Sequence, residues 1–250
     1  MAMNPRGKGC LVAFAVILTA ILALGWWVLG GSAPGPRTIR SRLTLVVETP
    51  EGERTGSSVT QLTTSFPGPL SRVQRWSLVG EVVVVDLGAR GLLFTTFESH
   101  GGIGRGGMDM YNAALTRFPQ ENVRGRDREE LNDEYAAYVD ELNRLKPKGE
   151  LPLKDLPVLV RFHDPKDPTS VELVDPLNLA ASFGSGVALK RASVEITDDP
   201  VTKGVEARLP WLKSSNVSPS LFPPHQGLRS NAETPPVENL RYDDFRRLPR

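Results

Sequence analysis

Three side chains of the types that perform acid–base chemistry stand out in the sequence. Asp86 follows a run of four valines, His100 follows an apolar stretch, and His163 opens the segment HDPKDP. A carboxylate and an imidazole that lie within about 4–6 Å of each other in a concave pocket can move protons during hydrolysis. We therefore take Asp86, His100 and His163 as the candidate catalytic residues.

A glycine-rich run, GGIGRGG over residues 101–107, is the candidate anion-binding feature. Glycines let backbone amides approach a phosphate, and a following helix adds its dipole, so Gly102, Gly104 and Arg105 are the candidate contacts. The run lacks both the Lys-Ser/Thr pair of a P-loop and the dinucleotide-binding spacing. A flexible surface loop is the alternative that this pattern favours.

Other polar patterns indicate turns. Two prolines follow His163 closely and prevent the helix on which a metalloprotease places its ligands. Asp164 and Asp167 each precede a turn or a proline, as is typical of loops. The nucleophile motif G-x-S-x-G is absent, and Cys10 is the only cysteine, which excludes disulfides and cysteine-based zinc sites after it. We expect no metal and no cofactor.

Residues 10–30 form the strongest pattern in the chain. They are 21 residues without a charge, and as a helix they would span roughly 30 Å, the thickness of the hydrocarbon core of a bilayer. Trp26 and Trp27 stand at the far end, where aromatic rings favour the headgroup layer. We predict a transmembrane helix over 10–30 after a basic leader, 1–9. A signal peptide cleaved after Ala33 and a buried soluble helix are the alternatives.

The charge distribution bears on partners and on location. The formal net charge is +1, yet residues 1–42 contain five basic residues and no acidic one, so the rest of the chain is net negative. A nucleic-acid-binding protein needs its positive charge on the folded body, so we expect no nucleic-acid partner. Basic residues flank the apolar segment on both sides, and the short leader favours a single-pass protein of the inner membrane with a periplasmic body.

The body is predicted to be α+β, with a mixed or antiparallel sheet and two to three packed helices. After a linker over 31–41, period-2 alternation indicates a β-hairpin over 42–63 within a globular domain over 42–212. The four valines indicate a strand buried on both faces. Further elements are predicted as follows: a strand over 73–86, a return strand at LLFTTF, helices near 108–118, 128–146 and 175–183, and strands over 158–162 and 187–197, the last with a bulge.

Residues 213–250 lose periodicity and are rich in proline, which predicts a flexible, mostly disordered tail. Such a segment can dock onto a partner at low cost in ordering entropy, or can simply remain solvated.

Four stretches, VETPEGERTGSSV, GEVVVVDLGARGLLF, DPTSVELVDP and VEITDDPVTKGVEARLPWL, together resemble an uncharacterised family of proteobacterial proteins. The resemblance covers about residues 40–212 and implies an apolar N-terminal leader, an α+β body and an origin in the bacterial envelope. It implies no activity, and no functional residue is carried over.

Two functions follow as hypotheses. The first is a membrane-anchored binding or interaction module that contacts lipid through residues 10–30 and a protein partner in the envelope. The second is a membrane-tethered hydrolase that uses carboxylates and a histidine. Convergence of two of Asp86, His100 and His163 within about 4–6 Å in a concave pocket would favour the hydrolase, and their dispersal over turns would favour the module.

Overall fold

The computed structural model of the chain describes residues 16–25, 34–66, 74–99, 112–120, 128–214, 220–222 and 236–249. Residues 16–25 form helix α1. Within these ranges, no helix has both the length and the apolar character needed to cross a bilayer. The transmembrane helix over 10–30 extends beyond the described residues at both ends, so it stays a prediction.

Ten strands and three more helices make up the described part of the body. The strands are β1 (Arg37–Thr49), β2 (Gly52–Ser65), β3 (Arg75–Glu81), β4 (Val84–Asp86), β5 (Leu92–Ser99), β6 (Lys148–Glu150), β7 (Pro157–Phe162), β8 (Val171–Val174), β9 (Ala188–Ile196) and β10 (Arg246–Arg247). The helices are α2 (Ala113–Arg117), α3 (Arg128–Leu145) and α4 (Leu179–Phe183).

The strands form two antiparallel sheets, which confirms the predicted α+β class. The first sheet has the order β10-β3-β2-β1-β9-β6 and the second has the order β4-β5-β7-β8. Both faces of the second sheet are buried, because alternate residues of β5 and β7 enter two different hydrophobic clusters. The prediction of one sheet was therefore too simple, since it did not foresee two sheets packed face to face.

The first hairpin confirms the period-2 pattern. Leu43, Leu45 and Val47 of β1 point into the core, and Leu45 is fully buried opposite Gly56 of β2. Leu45 reaches this position because side chains on a strand alternate between the two faces. The threonine hydroxyl of Thr49 closes the turn by donating to the carbonyl of Gly52 at 2.7 Å.

The valine run crosses from one sheet to the other. It was predicted to lie in one strand over 73–86, but the pairing ends at Glu81 and resumes at Val84 in the second sheet. The expected burial on both faces is confirmed, because Val82 enters one cluster and Val83 and Val85 enter the other. The side chain of Thr95 compensates for the break, since its hydroxyl accepts the amide of Val83 at 2.9 Å.

Gly56 permits the two sheets to approach closely. A Cβ atom at this position would lie 2.1 Å from the carbonyl oxygen of Val84, well inside van der Waals contact. Only a residue without a side chain allows β4 to cross β2 at this distance.

Helix α3 confirms the predicted helix over 128–146, although its buried face differs. Ala136, Val139 and Leu142 are buried, whereas Leu145 is 55% exposed. Tyr135 and Tyr138 lie at the margin of the buried face, and the Tyr138 hydroxyl donates to the carbonyl of Phe118. The apolar stripe that the sequence predicts therefore lies slightly to one side of the helix face that is buried in the structure.

Two other predicted elements are confirmed with shifted details. The bulge in β9 is present, because the β1–β9 register shifts between Val46 and Val47. The helix predicted from Asp175 begins later, at Leu179, because Asp175 closes a turn by accepting the amide of Leu177 at 2.8 Å.

The prediction of a disordered tail over 213–250 is wrong for the residues that the structure describes there. Leu221, Leu240 and Phe245 are buried in the hydrophobic core, and β10 pairs with β3. Short 3₁₀ turns at Pro236–Asn239 and Tyr242–Asp244 accommodate the segment. Sequence periodicity missed it because a few isolated apolar anchors, rather than a regular face, attach this segment.

Candidate functional site

Asp86 lies at the end of β4 and has the bonding pattern of a turn residue. Its Oδ1 accepts the amide of Gly88 at 2.9 Å, and its Oδ2 lies 3.3 Å from Nη2 of Arg208. The side chain is 52% exposed. These contacts orient the carboxylate toward its own turn.

His163 follows β7 and pairs with a carboxylate on β8. Its Nε2 lies 2.8 Å from Oε2 of Glu172, and the imidazole is 60% exposed. The other oxygen of Glu172 accepts the hydroxyl of Ser182 at 2.7 Å. In a catalytic triad the imidazole stands between the hydroxyl and the carboxylate. Here the carboxylate stands in the middle, so the imidazole is not placed to take the proton of Ser182.

The register of the second sheet separates Asp86 from His163. Val84 and Val160 both pair with Phe94 of β5, so Asp86 and the end of β7 lie at the same end of the sheet with β5 between them. Two strand spacings amount to about 10 Å. The structure therefore does not bring these two candidates together at proton-transfer distance.

The remaining candidates lie outside the described residues. They are His100, Gly102, Gly104 and Arg105, and their proposed roles stay predictions. Among the described residues, no group of three or more His, Cys, Asp or Glu side chains is placed to hold a metal ion.

A pair of carboxyl groups, one buried and one partly buried, is the most unusual electrostatic feature of the described body. Glu98, near the end of β5, hydrogen-bonds through its side chain to Asp244 in the C-terminal 3₁₀ turn. Asp244 is 1% exposed. Burial and the neighbouring Asp244 raise the pKa of Glu98 to about 8. Burial likewise raises the pKa of Asp244 to about 6, even though the amide of Arg241 donates to it at 2.8 Å.

Only one of the two carboxyl groups can ionise at little cost. Two negative charges in contact repel strongly where water is excluded, so such a pair keeps one proton between its members. The two groups therefore share one proton, which is held in the hydrogen bond between their side chains. Among the described residues, Arg247 is the cation that acts on the pair, with its Nη2 3.9 Å from Oδ1 of Asp244, which is too long for a hydrogen bond.

The described neighbours of this pair include an aromatic ring and a small cavity. The guanidinium of Arg247 lies over the ring of Phe97, 5.8 Å from its centroid. A neighbouring cavity of about 20 Å³, lined by residues that include Ser58, Glu81 and Thr95, has room for about one water molecule. Within the described residues, the pair therefore joins β5 to the C-terminal 3₁₀ turn and can exchange a proton.

Sequence reasoning missed this pair for a physical reason. Glu98 and Asp244 are far apart in the chain, and each sits in a polar stretch that also suits a solvated loop. The available signal was the apolar flanks of Asp244, namely Leu240, Tyr242 and Phe245, which are more apolar than a solvated end requires.

Comparisons of the chain with protein-family models, with curated proteins and with solved structures found no match. The resemblance to a proteobacterial envelope family stays a prediction.

Proposed function

We propose that the chain is a single-pass protein of the bacterial inner membrane whose periplasmic α+β body acts as a binding or interaction module. The observation that carries this proposal is the separation of Asp86 and His163, the two candidate catalytic groups that the structure describes. Asp86 and His163 lie about 10 Å apart across β5, and each is engaged by a partner of its own. This arrangement favours the binding module over the hydrolase.

The sequence supports the membrane attachment. The uncharged run over 10–30 has the length of a bilayer-spanning helix. A tether of this kind raises the local concentration of the body near partners in the envelope.

Two exposed leucines near one end of the second sheet suit contact with a protein partner. The pairing of Leu159 with Val174 places the chain before β7 and the chain after β8 at the same end of the sheet. Exposed leucines occur in both of these segments: Leu153 is 36% exposed and Leu177 is 77% exposed. Apolar side chains that project this far into water favour contact with another protein surface.

The location is tested by reporter fusions at the C-terminus of the full chain. A periplasm-dependent reporter is expected to be active and a cytoplasm-dependent one inactive. The reverse result, or release of the body into the soluble fraction, contradicts the proposed placement.

The binding function is tested by photo-crosslinking in intact cells. A photoreactive residue at position 177 is expected to yield a discrete crosslinked species, and the same residue at Leu145, 55% exposed on α3, serves as the matched control. Asp86→Asn and His163→Ala should leave the crosslink unchanged. The absence of a crosslink at position 177, or its loss in the Asp86 and His163 variants, contradicts a binding module that acts through this surface.

A further inference from the structure

The C-terminal segment, residues 236–249, is attached to the body by a small number of deep contacts. Leu240 and Phe245 are fully buried, and the Phe245 ring lies 5.6 Å from the rings of both Phe162 and Trp211. The backbone contributes the short β10–β3 pairing and a bond from the amide of Val82 to the carbonyl of Phe245 at 3.2 Å. Few residues therefore decide whether the segment stays in place.

One of these contacts depends on a proton. Asp244 lies between the two apolar anchors of the segment, and its buried carboxylate meets the carboxyl of Glu98 on β5. When Glu98 carries a proton, the two groups share a hydrogen bond that joins the segment to the second sheet. When both groups are ionised, the same contact becomes a repulsion against the buried carboxylate of Asp244.

We propose that residues 236–249 form a pH-sensitive latch, which is closed while Glu98 and Asp244 share a proton and loosens when both carboxyl groups ionise. The latch is a property of the fold itself and goes beyond the proposed binding function.

The other charges near the pair modulate this behaviour without reversing it. Asp243 raises the pKa of Glu98 further, whereas Arg247 lowers it, and burial and Asp244 outweigh Arg247. Arg246 of the same segment is paired with Glu206 and also donates to the carbonyl of Leu212 at 2.5 Å.

A further carboxylate near the segment has a partner of its own. Glu81, which faces Arg246 across the β10–β3 pairing, accepts the amide of Val205 at 2.7 Å. Within the described residues, the charged groups that shift the pKa of Glu98 all belong to residues 236–249.

The direction of the pH effect follows from linkage. The folded chain raises the pKa of Glu98 from the ordinary 4.5 to about 8, so the closed latch binds a proton that the open latch releases. The contribution of this group to closure is complete below about pH 4.5, and it is lost progressively as the pH rises toward 8. One proton changes the opening equilibrium by at most tenfold per pH unit. Because Glu98 is only partly buried, we expect about tenfold more opening at pH 9 than at pH 6.

Opening of the latch has a structural consequence. Phe245 covers the rings of Phe162 and Trp211, and Tyr242 contacts Trp211 with a centroid distance of 5.0 Å. Release of the segment therefore uncovers an aromatic surface that is hidden in the closed state.

Hydrogen–deuterium exchange on the full chain in detergent tests the latch. The amides of Leu240 and Phe245 donate within the segment, to the carbonyls of Val237 and Tyr242, and report its opening. After correction for intrinsic exchange rates, their protection in the wild type should fall about tenfold between pH 6 and pH 9. Glu98→Gln keeps a neutral, hydrogen-bonding side chain and should abolish the fall.

Glu206→Gln is the matched control, because it removes another carboxylate that contacts the segment and should leave the pH dependence intact. If Glu98→Gln does not fold, Asp244→Asn replaces it and should also flatten the pH profile. The amides of β1 should keep their protection throughout the pH range. The proposal is overturned if protection of the segment does not change with pH in the wild type, if the fall persists in the neutral variants, or if β1 loses protection in parallel.

Discussion

Phe245→Ala is the most direct test of whether the C-terminal segment belongs to the core. Phe245 is fully buried, and its ring contacts Phe162 and Trp211 at centroid distances of 5.6 Å. Truncation of a buried phenylalanine to alanine costs about 3–5 kcal/mol, from lost transfer free energy and from the cavity that remains. Because the segment can detach instead of leaving a cavity, we expect a loss near 3 kcal/mol, the lower end of this range.

Chemical denaturation of the full chain in detergent measures this loss, and Leu248→Ala is the control. Leu248 lies three residues further on and is 58% exposed, so its truncation should change the free energy of unfolding by no more than about 0.5 kcal/mol. A segment that is already detached in Phe245→Ala exposes less new surface on unfolding, so the m-value should fall as well. A loss below about 1 kcal/mol for Phe245→Ala, or equal losses for the two variants, would refute the assignment of this segment to the core.

Two further predictions concern the crossing between the sheets. Gly56→Ala should destabilise the fold by about 1–3 kcal/mol in the same assay, because its Cβ atom would overlap the carbonyl of Val84. Gly35→Ala is the control and should be nearly neutral, because a Cβ atom at that position would approach only a side-chain atom, at 3.8 Å. Thr95→Val removes the acceptor of the buried amide of Val83 and should cost about 1–3 kcal/mol, while Thr95→Ser keeps the hydroxyl and should cost less; equal losses would contradict the role of the hydroxyl.

Local sequence patterns predicted the strands and turns whose formation depends mainly on neighbouring residues. Leu43, Leu45 and Val47 alternate strictly, and a turn sequence follows them, so the first hairpin could be located before its partners were known. The valine run was correctly predicted to be buried on both faces, because no polar face interrupts it. The passage of that run from one sheet to the other was not predictable, since it depends on the close approach of Gly56 and Val84 across the tertiary structure.

In the candidate site, too, the sequence reveals local features but not long-range pairing. The residue types of Asp86 and His163 are visible in the sequence, but their separation follows from the pairing of β4 and β7 with β5, which is a long-range property. The pairing of Glu98 with Asp244 is equally non-local, and neither residue lies in a motif. The amino-acid composition indicated a solvated C-terminal end because that end contains many charged residues. Composition does not show that Arg246 forms an ion pair with Glu206.

A segment with the composition of a solvated tail can still be part of a fold. A proline-rich chain with few apolar residues cannot bury a continuous face, so its attachment must come from isolated anchors such as Leu240 and Phe245 and from polar contacts between them. Polar contacts in a buried site depend on protonation in a way that apolar contacts do not. The carboxyl pair that completes the attachment of this segment therefore also makes the attachment conditional on pH, so that a change of pH alone can change the surface that the body presents.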